Sequence, residues 1–557
     1  MNKNININWS ITIVSILQSM GVKYACISPG ARNSALTYAF SECVGIKCYS
    51  HIDERSAAFF ALGLAKLSKE PTILICTSGT AGANYLPASI EASSSRIPLI
   101  ILTADRPPNL VNSGSNQTIN QKNLFGEFVR FFFDIGLPQD NVDTLSDIIE
   151  CSYNHAKGSE LESPPGPVHL NLPFDEPLLP DVIGDYIKYD KILSNQLSIK
   201  NNLSFPILEK FENPLIIIGP FEENIYQDEI IKLANKLNAP ILADPLSQLR
   251  YGFEDEIILS NYDYFLKYNK IEPDLIIRFG RKPTSKVLFN LLEEHNDNVL
   301  LIDQWSQFND DSRFFIKVDI KNYCLTQIEK CNCSGSLDWK KKLIKLENIV
   351  SQIIINESEY SEGTIARGII DSLNDNDCLI IGNSMPIRDV DMYSQTSKTK
   401  LFTFANRGAS GIDGVLSTAL GISSNYSKGE SILLIGDISF FHDIGGLLSI
   451  NYVQKLTIII INNSGGGIFS FLPLSKIGLD HFEDYWTTSR DIDIKKIAKI
   501  YNCSYFSTNT INELQKNIKD SFLIRGTKII ELKVEIDSNV KVHNNVLNKV
   551  SDIFSKD

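Results

Sequence analysis

The chain has 557 residues, a formal net charge of −13, and 43% hydrophobic and 21% charged residues. The length predicts about three domains, since single cores rarely grow past ~250 residues. The acidic balance argues against nucleic acid as a partner, because nucleic-acid binding normally requires a basic face. No apolar run approaches the ~18 residues that a membrane span needs. The ten cysteines are scattered, several within apolar strand-like runs, which is typical of reduced proteins and predicts a cytoplasmic location.

Strand-like runs alternate with helical patterns along the chain, beginning with residues 9–20, which favour an amphipathic helix over a signal peptide. This alternation is typical of parallel sheets covered by helices on both faces. Strands are predicted at residues 24–28, 72–76, 99–103 and 168–172, then at 215–219, 241–244, 275–279 and 300–303, and finally at 378–381, 400–404, 432–435, 456–461 and 528–534. Periodicity is lost at 175–206, and residues 331–335 are polar and turn-rich. We therefore predict three doubly wound α/β domains, at 1–180, 181–345 and 346–557.

The turns that follow strands of the first domain carry its candidate site residues. Arg32 lies in a Ser-Pro-Gly turn whose free amides favour an anion, although a plain turn with a solvated arginine explains the motif equally well. Glu54 precedes the apolar helical run 57–64 and, in isolation, is explained by the preference of acids for a helix N-terminus. Thr80 lies in a small-residue turn, suited either to a flat ligand or only to close packing. Asn116 and Gln117 lie in a polar loop and, alone, are most simply interpreted as solvated.

Two turns one crossover apart in the third domain form a candidate metal site. The first contains Gly436, Asp437 and Ser439, and the second contains Asn463 and Gly465. A carboxylate, an amide oxygen and a loop carbonyl are ligands that suit Mg²⁺ and leave positions for phosphate oxygens. Glycines also let the backbone approach phosphates closely. Ordinary strand-to-helix turns favour Asp, Asn and Gly for conformational reasons alone, so each turn by itself has a simpler explanation.

Two more segments of the third domain place an arginine in or just after a turn or loop that follows a predicted strand. Ser384 and Arg388 are four residues apart and share one face of a predicted helix, although Ser384 is equally explained as a helix cap. Arg407 and Ile412 lie in a glycine-rich loop at 405–414. A flexible surface loop is the alternative explanation for that segment.

Taken together, these motifs resemble the thiamine-diphosphate enzymes of the 2-oxo-acid decarboxylase type over the whole chain. The general features are the Glu54 turn, the Gly436-Asp437 and Asn462-Asn463 pair, and residues 166–171. Within that class the chain is similar to the 2-succinyl-5-enolpyruvyl-6-hydroxy-3-cyclohexene-1-carboxylate (SEPHCHC) synthases, the MenD family. The motifs that carry this narrower resemblance are the turn ending at Arg32, Thr-Ala-Asp-Arg-Pro-Pro at 103–108, Asn116-Gln117, Ser384 with Arg388, the loop at 406–414, and Gly467-Ile468-Phe469-Ser470.

The resemblance implies a fold and a cofactor. It implies three doubly wound parallel-sheet domains of the thiamine-diphosphate decarboxylase type, with thiamine diphosphate held through Mg²⁺ (or Mn²⁺) by Asp437, Asn463 and the Gly465 carbonyl. Glu54 would bond the aminopyrimidine ring of the cofactor, and Ile412 would keep the cofactor bent. Further cofactor contacts are implied for Thr80, Ser384, Gly436, Ser439, Ile468 and Phe469.

The resemblance also implies the substrates, 2-oxoglutarate as donor and isochorismate as acceptor, for menaquinone or phylloquinone biosynthesis. Each carries two carboxylates, and arginine's planar fork suits carboxylates. The implied substrate partners are Arg32, Lys286, Arg388 and Arg407, with Asn116 and Gln117 for the polar groups of the acceptor and Ile468 and Phe469 for its ring. The family's active sites lie between subunits, so a homodimer or a dimer of dimers is expected.

Two departures and two alternatives accompany this interpretation. Ala31 stands where the family often has a serine, and Ile438 stands where the wider class has a glycine. One alternative is another thiamine-diphosphate 2-oxo-acid decarboxylase or acetolactate-type carboligase, which turnover of pyruvate would indicate. The other is an inactive cofactor-binding or scaffold protein, against which the retention of Glu54 and of the cations argues.

Overall fold

The computed structural model describes residues 4–139, 143–158, 163–179, 205–221 and 226–555. These residues form three six-stranded sheets, and every strand pairing within them is parallel. The predicted class of doubly wound α/β sheets is therefore confirmed. Most of the aperiodic segment 175–206, with the predicted bound at 180, lies outside the described residues.

The first sheet is built from residues before 174. Its strands are β1 (Tyr24–Ile27), β2 (Lys47–Ser50), β3 (Thr72–Cys76), β4 (Leu99–Asp105), β5 (Phe131–Asp134) and β6 (Pro167–Pro173), in the order β2-β1-β3-β4-β6-β5. Its helices are α1 (Ile5–Ser19), α2 (Ser34–Ser41), α3 (Glu54–Ser68), α4 (Leu86–Ser95) and α5 (Asp143–Lys157). Strands β3, β4 and β6 are buried throughout, because helices cover both faces of the sheet.

The second sheet follows residue 205. Its strands are β7 (Pro214–Ile218), β8 (Ile241–Ala243), β9 (Ile258–Leu259), β10 (Leu275–Phe279), β11 (Val299–Asp303) and β12 (Phe314–Lys317), in the order β12-β11-β10-β7-β8-β9. Its helices are α6 (Gln227–Leu237), α7 (Tyr262–Tyr268), α8 (Lys286–Glu294), α9 (Ile320–Lys330) and α10 (Leu337–Asn356).

The third sheet repeats the topology of the first. Its strands are β13 (Cys378–Ile381), β14 (Phe402–Phe404), β15 (Ser431–Gly436), β16 (Lys455–Asn462), β17 (Ser504–Thr508) and β18 (Gly526–Lys533), in the order β14-β13-β15-β16-β18-β17. The helices here are α11 (Glu362–Ile370), α12 (Met385–Tyr393), α13 (Val415–Ser423), α14 (Asp437–His442), α15 (Ile494–Ile500), α16 (Ile511–Phe522) and α17 (Ile536–Phe554). Counted from its own first strand, each of these two sheets has the order 2-1-3-4-6-5.

Every strand predicted from an apolar run forms, with ends shifted by two residues or fewer. The described strands that the sequence did not predict are β2, β5, β9, β12 and β17, and each lies at an edge of its sheet. Four of them, β2, β5, β12 and β17, have half-buried or exposed residues at most positions, and β9 has only two residues. Edge strands contact one neighbour only, so they lack the continuous apolar run of a strand buried on both faces.

The described residues group into two compact units. Unit 1 is the described part of Met1–Ile199 with Asn406–Asn425 and His442–Val453, and unit 2 is the described part of Lys200–Ala405 with Tyr426–Phe441 and Gln454–Asp557. The three-domain bounds proposed from the sequence remain a prediction. Within the described residues, no helix combines the length and the apolar character needed to cross a membrane.

Helix α3 packs closely on α13 within unit 1. A Cβ built on Gly63 would lie 2.2 Å from the carbonyl oxygen of Thr418, and one built on Gly421 would lie 2.1 Å from that of Phe60. Glycine on both helices therefore allows backbone-to-backbone approach. This contact fixes α3, whose first residue is Glu54.

Candidate cofactor and active site

The candidate metal turns lie at the topological switch point of the third sheet. Strand β14 lies on one side of β13 and β15 on the other, so the chain reverses its direction across the sheet between β14 and β15. Ligands of doubly wound sheets bind beside the carboxyl ends of strands at such a point. The turn containing Ser384 follows β13, and Asp437 follows β15. Asn463 follows β16, which pairs with β15 up to Gly436 opposite Ile461.

The Asp437 carboxylate has the properties of a cation ligand. The side chain is buried, and its Oδ1 accepts a hydrogen bond from the backbone N–H of Ile438 at 2.7 Å. Its Oδ2 is buried without a hydrogen-bond partner among the described residues. Burial raises the pKa of Asp437 to about 7, while backbone N–H groups of Ile438, Gly465 and Ser464 act in the opposite sense. A buried, unpaired carboxylate oxygen is costly unless a cation completes it, so this atom fits a divalent metal.

Asn463 is held beside this carboxylate in one orientation. Its Nδ2 donates to Oε1 of Glu362 at 2.8 Å, and its Oδ1 accepts from the N–H of Gly465 at 3.2 Å. Glu362 is buried at the start of α11 and was not singled out from the sequence, where it is one acidic residue at a helix start. Among the described residues no group of three or more His, Cys, Asp or Glu is arranged for a metal. An ion here would therefore take mixed oxygen ligands, as Mg²⁺ does with phosphates.

Ser384 and Arg388 come together as the sequence predicted. Ser384 occupies the N-cap position of α12 with φ of 73°, and its side chain makes no capping bond. Its carbonyl oxygen accepts a hydrogen bond from Nη1 of Arg388. A left-handed serine is strained, so the cap explanation does not account for this residue. Burial lowers the pKa of Arg388, whereas Asp389 and Asp263 act to raise it.

Lys286 follows a serine that contacts Asp263, an acidic neighbour of Arg388. Lys286 is exposed and begins α8 after Ser285, whose hydroxyl donates to Oδ2 of Asp263 at 2.6 Å. Asp263 is also close enough to Arg388 to affect its pKa. The hydroxyl of Ser285, next to Lys286 in the chain, and the guanidinium of Arg388 therefore share one acidic neighbour, Asp263.

The remaining predicted residues of unit 2 surround the metal turns. Gly436 ends β15 and is open, since a Cβ there would meet nothing within 4 Å. Ser439 is buried in α14. Ile468 and Phe469 are half-buried in a short 3₁₀ helix, Gly467–Phe471, directly after the Asn463 turn.

The candidate residues of unit 1 converge at the switch point of the first sheet, between β1 and β3. A Cβ on Gly30 would lie 2.3 Å from Cβ of Thr77, so the turns after β1 and β3 touch and require glycine. The loop of Gln117 joins them, because the hydroxyl of Ser78 donates to the Gln117 carbonyl at 3.0 Å. Thr80, Asn116 and Gln117 are all exposed.

Arg32 is buried, which excludes the solvated-arginine explanation of its turn. Its Nη1 donates to the carbonyl oxygen of Phe174 at 2.9 Å, and its Nη2 lies 3.8 Å from Oε1 of Glu176. Burial, followed by the charge of Arg106, lowers the pKa of Arg32. The guanidinium is thus fixed at the carboxyl end of the sheet with donor capacity remaining.

Glu54 is half-buried and is not the capping residue of α3. The adjacent Asp53 is the cap, since its carboxylate accepts from the N–H of Arg55 at 3.0 Å and from the hydroxyl of Ser56 at 2.9 Å. Burial and then the charge of Glu54 contribute to raising the pKa of the Cys76 thiol, which ends β3. The Glu54 carboxylate therefore lies near the β3 end of the switch point and is not needed as a cap.

Two buried side chains that hold these loops were not predicted. Gln121 accepts from the N–H of Gly79 at 2.8 Å and donates to Oδ1 of Asn171 at 2.9 Å. Glu91 accepts from the N–H groups of Gly408 and Ala409, at the centre of the loop that carries Arg407 and Ile412. An acid inside the apolar pattern of α4 was the sequence signal for Glu91.

Comparison with known proteins identifies both cofactor-binding regions. Residues 8–124 match the N-terminal TPP (thiamine pyrophosphate) binding domain of thiamine pyrophosphate enzymes, and residues 389–532 match the C-terminal TPP binding domain. The first match spans strands β1 to β4 of the first sheet, and the second spans β14 to β17 and nearly all of β18 in the third sheet. The fold and these matches define a thiamine-diphosphate enzyme.

The full-length relatives narrow this class. The chain is 39% identical to the 2-succinyl-5-enolpyruvyl-6-hydroxy-3-cyclohexene-1-carboxylate synthase of Listeria innocua, over 96% of each chain. It is 37% identical to the synthase of the same name from Oceanobacillus iheyensis, over 98% of this chain and 97% of the relative. It is 34% identical to the synthase of the same name from Geobacillus kaustophilus, over 98% of each chain. The chain belongs to the SEPHCHC synthase family.

Proposed function

We propose that this protein is a carboligase that decarboxylates 2-oxoglutarate and adds the remaining four-carbon unit to isochorismate in a 1,4-addition, giving SEPHCHC. The observation that carries the proposal is the end-to-end similarity to proteins named for that product. The reaction would take place in the cytoplasm and supply menaquinone or phylloquinone biosynthesis.

The cofactor is thiamine diphosphate, and Mg²⁺ or Mn²⁺ is the metal we propose. Asp437, Asn463 and the Gly465 carbonyl would hold the ion, in agreement with the unpaired buried Oδ2 of Asp437. Ser384, Gly436, Ser439, Ile468 and Phe469 would contact the cofactor around that ion. When bound, thiamine diphosphate supplies an electron sink for breaking and forming carbon–carbon bonds at a 2-oxo acid.

On the other half of the cofactor, Glu54 would hold a proton against the aminopyrimidine ring. A half-buried carboxylate that is not used as a helix cap suits this role. Thr80 and Ile412 would contact the same part of the cofactor. Because Ile412 is a branched apolar residue, it would serve as a rigid wedge.

The carboxylates of the substrates would be bound by Arg32, Lys286, Arg388 and Arg407. Arginine donates in a planar fork that matches a carboxylate, and the rest of the protein is acidic, so these local cations are needed to attract dianions. Asn116 and Gln117 are exposed amides suited to the polar groups of the acceptor. Their loop is held beside the turn of Thr80.

We also propose a homodimer or a dimer of dimers with active sites between subunits, and three domains bounded at about residues 180 and 345. Light scattering coupled to size-exclusion chromatography tests the assembly. A monomer with full activity would contradict this part of the proposal.

The function is tested with purified protein, thiamine diphosphate and Mg²⁺. 2-Oxoglutarate should be consumed with release of carbon dioxide, and a SEPHCHC-mass product should form only when isochorismate is added. Pyruvate replaces 2-oxoglutarate in a parallel reaction. Turnover of pyruvate with indifference to isochorismate would overturn the proposal in favour of another 2-oxo-acid carboligase. Protein that binds the cofactor but turns over no 2-oxo acid would indicate a scaffold.

A further inference from the structure

One buried carboxylate in unit 1 holds the loop that carries Arg407 and Ile412. Glu91 lies in the last half of α4 and is 3% exposed. Its Oε2 accepts from the backbone N–H groups of Ala409 at 2.7 Å and Gly408 at 3.0 Å. Three consecutive residues of the loop point their amides at this one group, since Gly408 also donates to Oε1 at 2.8 Å and Ser410 donates to Oε2 at 3.4 Å.

Converging backbone N–H groups form a concave anion site, of the type that elsewhere binds phosphates. Here the protein supplies the anion itself. The hydroxyl of Ser95 adds a further hydrogen bond to Oε1 of Glu91 at 2.6 Å. Hydrogen bonds to a charged acceptor are stronger than neutral ones, and leaving this carboxylate buried without them would be costly.

The loop is fixed on both sides of Arg407. Before it, Nδ2 of Asn406 donates to the hydroxyl of Thr418 in α13 at 3.0 Å. After it, a Cβ on Gly408 would lie 2.5 Å from the carbonyl oxygen of Glu91 and 2.7 Å from Oγ of Ser95. Position 408 must therefore be glycine, because any side chain there would collide with α4. The position of Arg407 thus depends on contacts made by its two neighbours.

We propose that Glu91 is a positioning residue of the active site, which fixes the loop at 406–412 so that Arg407 and Ile412 are presented in one arrangement. The roles of Arg407 and Ile412 rest on the proposed function. The hydrogen bonds by which Glu91 fixes the loop do not depend on it. Glu91 acts through the backbone of the loop and touches no substrate.

Amide hydrogen exchange of the full-length protein tests the hold directly. The amides of residues 408–410 should exchange more slowly than those of the turn at 112–115, and Glu91→Gln should accelerate them by about tenfold or more, because an amide places donors against donors. Ser95→Ala is the matched control, since it removes the side-chain bond to Oε1 of Glu91 and leaves the backbone bonds to Glu91. Fast exchange in the unmodified protein, or no acceleration in Glu91→Gln, would overturn the proposal.

Steady-state kinetics test the positioning role. Glu91→Gln should raise KM for at least one dicarboxylate substrate by about tenfold at unchanged far-ultraviolet circular dichroism, and in an Arg407→Met background it should add little, because coupled residues are non-additive. Additive effects, or a Glu91→Gln protein whose kcat and KM are both unchanged, would reduce Glu91 to a folding role and overturn the proposal. If Arg407→Met alone leaves both KM values unchanged, the role given to Arg407 under the proposed function is wrong. The hydrogen-exchange measurement then decides by itself whether Glu91 fixes the loop.

Gly408→Ala provides a second route if Glu91→Gln does not fold. The added Cβ would meet the Glu91 carbonyl oxygen and push the loop away from α4. The variant should therefore reproduce the faster exchange and the higher KM. A Gly408→Ala protein with unchanged exchange and unchanged KM would overturn the close approach on which the proposal depends.

Discussion

Replacing Gly63 by alanine should destabilise the protein, although alanine is the better helix former. The new Cβ would lie 2.2 Å from the Thr418 carbonyl oxygen and 2.9 Å from the Ile422 nitrogen, so α3 and α13 would have to separate by about 0.8 Å to reach even 3.0 Å. Both opposing atoms belong to the backbone, so no rotamer change relieves the clash.

The magnitude follows from two opposing terms. Alanine gains about 1 kcal/mol of helix propensity over glycine, whereas overpacking costs about 1 to 3 kcal/mol, and more when backbone must move. We expect a net loss of about 1 to 2 kcal/mol, which corresponds to a fall of roughly 2 to 8 °C in the midpoint of thermal unfolding. Specific activity well below that midpoint should also fall, because Glu54 begins α3.

The assay is thermal unfolding followed by circular dichroism, with Gly368→Ala as the matched control. Gly368 also lies within a helix, but a Cβ there meets side-chain atoms and no backbone atom, the nearest being Cγ2 of Ile511 at 3.0 Å. Its midpoint should change little or rise. A rise for Gly63→Ala equal to that of the control, with full activity, would refute the close approach of α3 and α13.

Three other predictions concern the site and its surroundings. Glu54→Gln should lower carboligation by about 100-fold or more while the cofactor still binds, because an amide cannot hold the required proton; unchanged turnover would show that Glu54 has another role. Asp437→Asn should weaken Mg²⁺-dependent binding of thiamine diphosphate by at least about tenfold in calorimetric titration, since a neutral amide is a poorer ligand for a hard cation; equal affinity would exclude Asp437 as a ligand. Burial lowers the pKa of His51 to about 4 against the opposing charge of Asp53, so the unfolded chain takes up a proton below pH 6.5 that the native protein does not. The free energy of unfolding should therefore fall as pH drops from about 6.5 to about 4, by up to about 3 kcal/mol from this group. In His51→Gln the urea concentration at the unfolding midpoint should depend less on pH over that range. An equally steep pH dependence in the variant would assign the effect to other groups.

The interior of each sheet was predictable from the sequence. Strands such as β3 and β13 form at the predicted residues because a strand buried on both faces is mostly apolar. The turns that follow such strands were chosen as candidate sites because parallel strands place their carboxyl ends together. Asp437, Asn463 and Arg32 were all proposed in this way, and their roles remain predictions.

The edges and the supporting side chains were decided only by tertiary structure. Strand β2 is short and partly exposed, and its pairing with β1 makes it a strand. Glu91 is one acid in a helix until the fold places it against amides more than 300 residues away. That partnership depends on long-range packing, which a local pattern does not encode.

The same division explains the relation between the two cofactor-binding sheets. Their sequences show no detectable repeat, yet both have the strand order 2-1-3-4-6-5. The sequence by itself determined which residues are apolar, which turns carry candidate oxygen ligands and cations, and hence the family. Tertiary structure decided that Arg32 is buried, that one oxygen of Asp437 has no partner in the described part of the chain, and that Glu91 bonds the Arg407 loop, because burial and partnership arise only when distant segments pack.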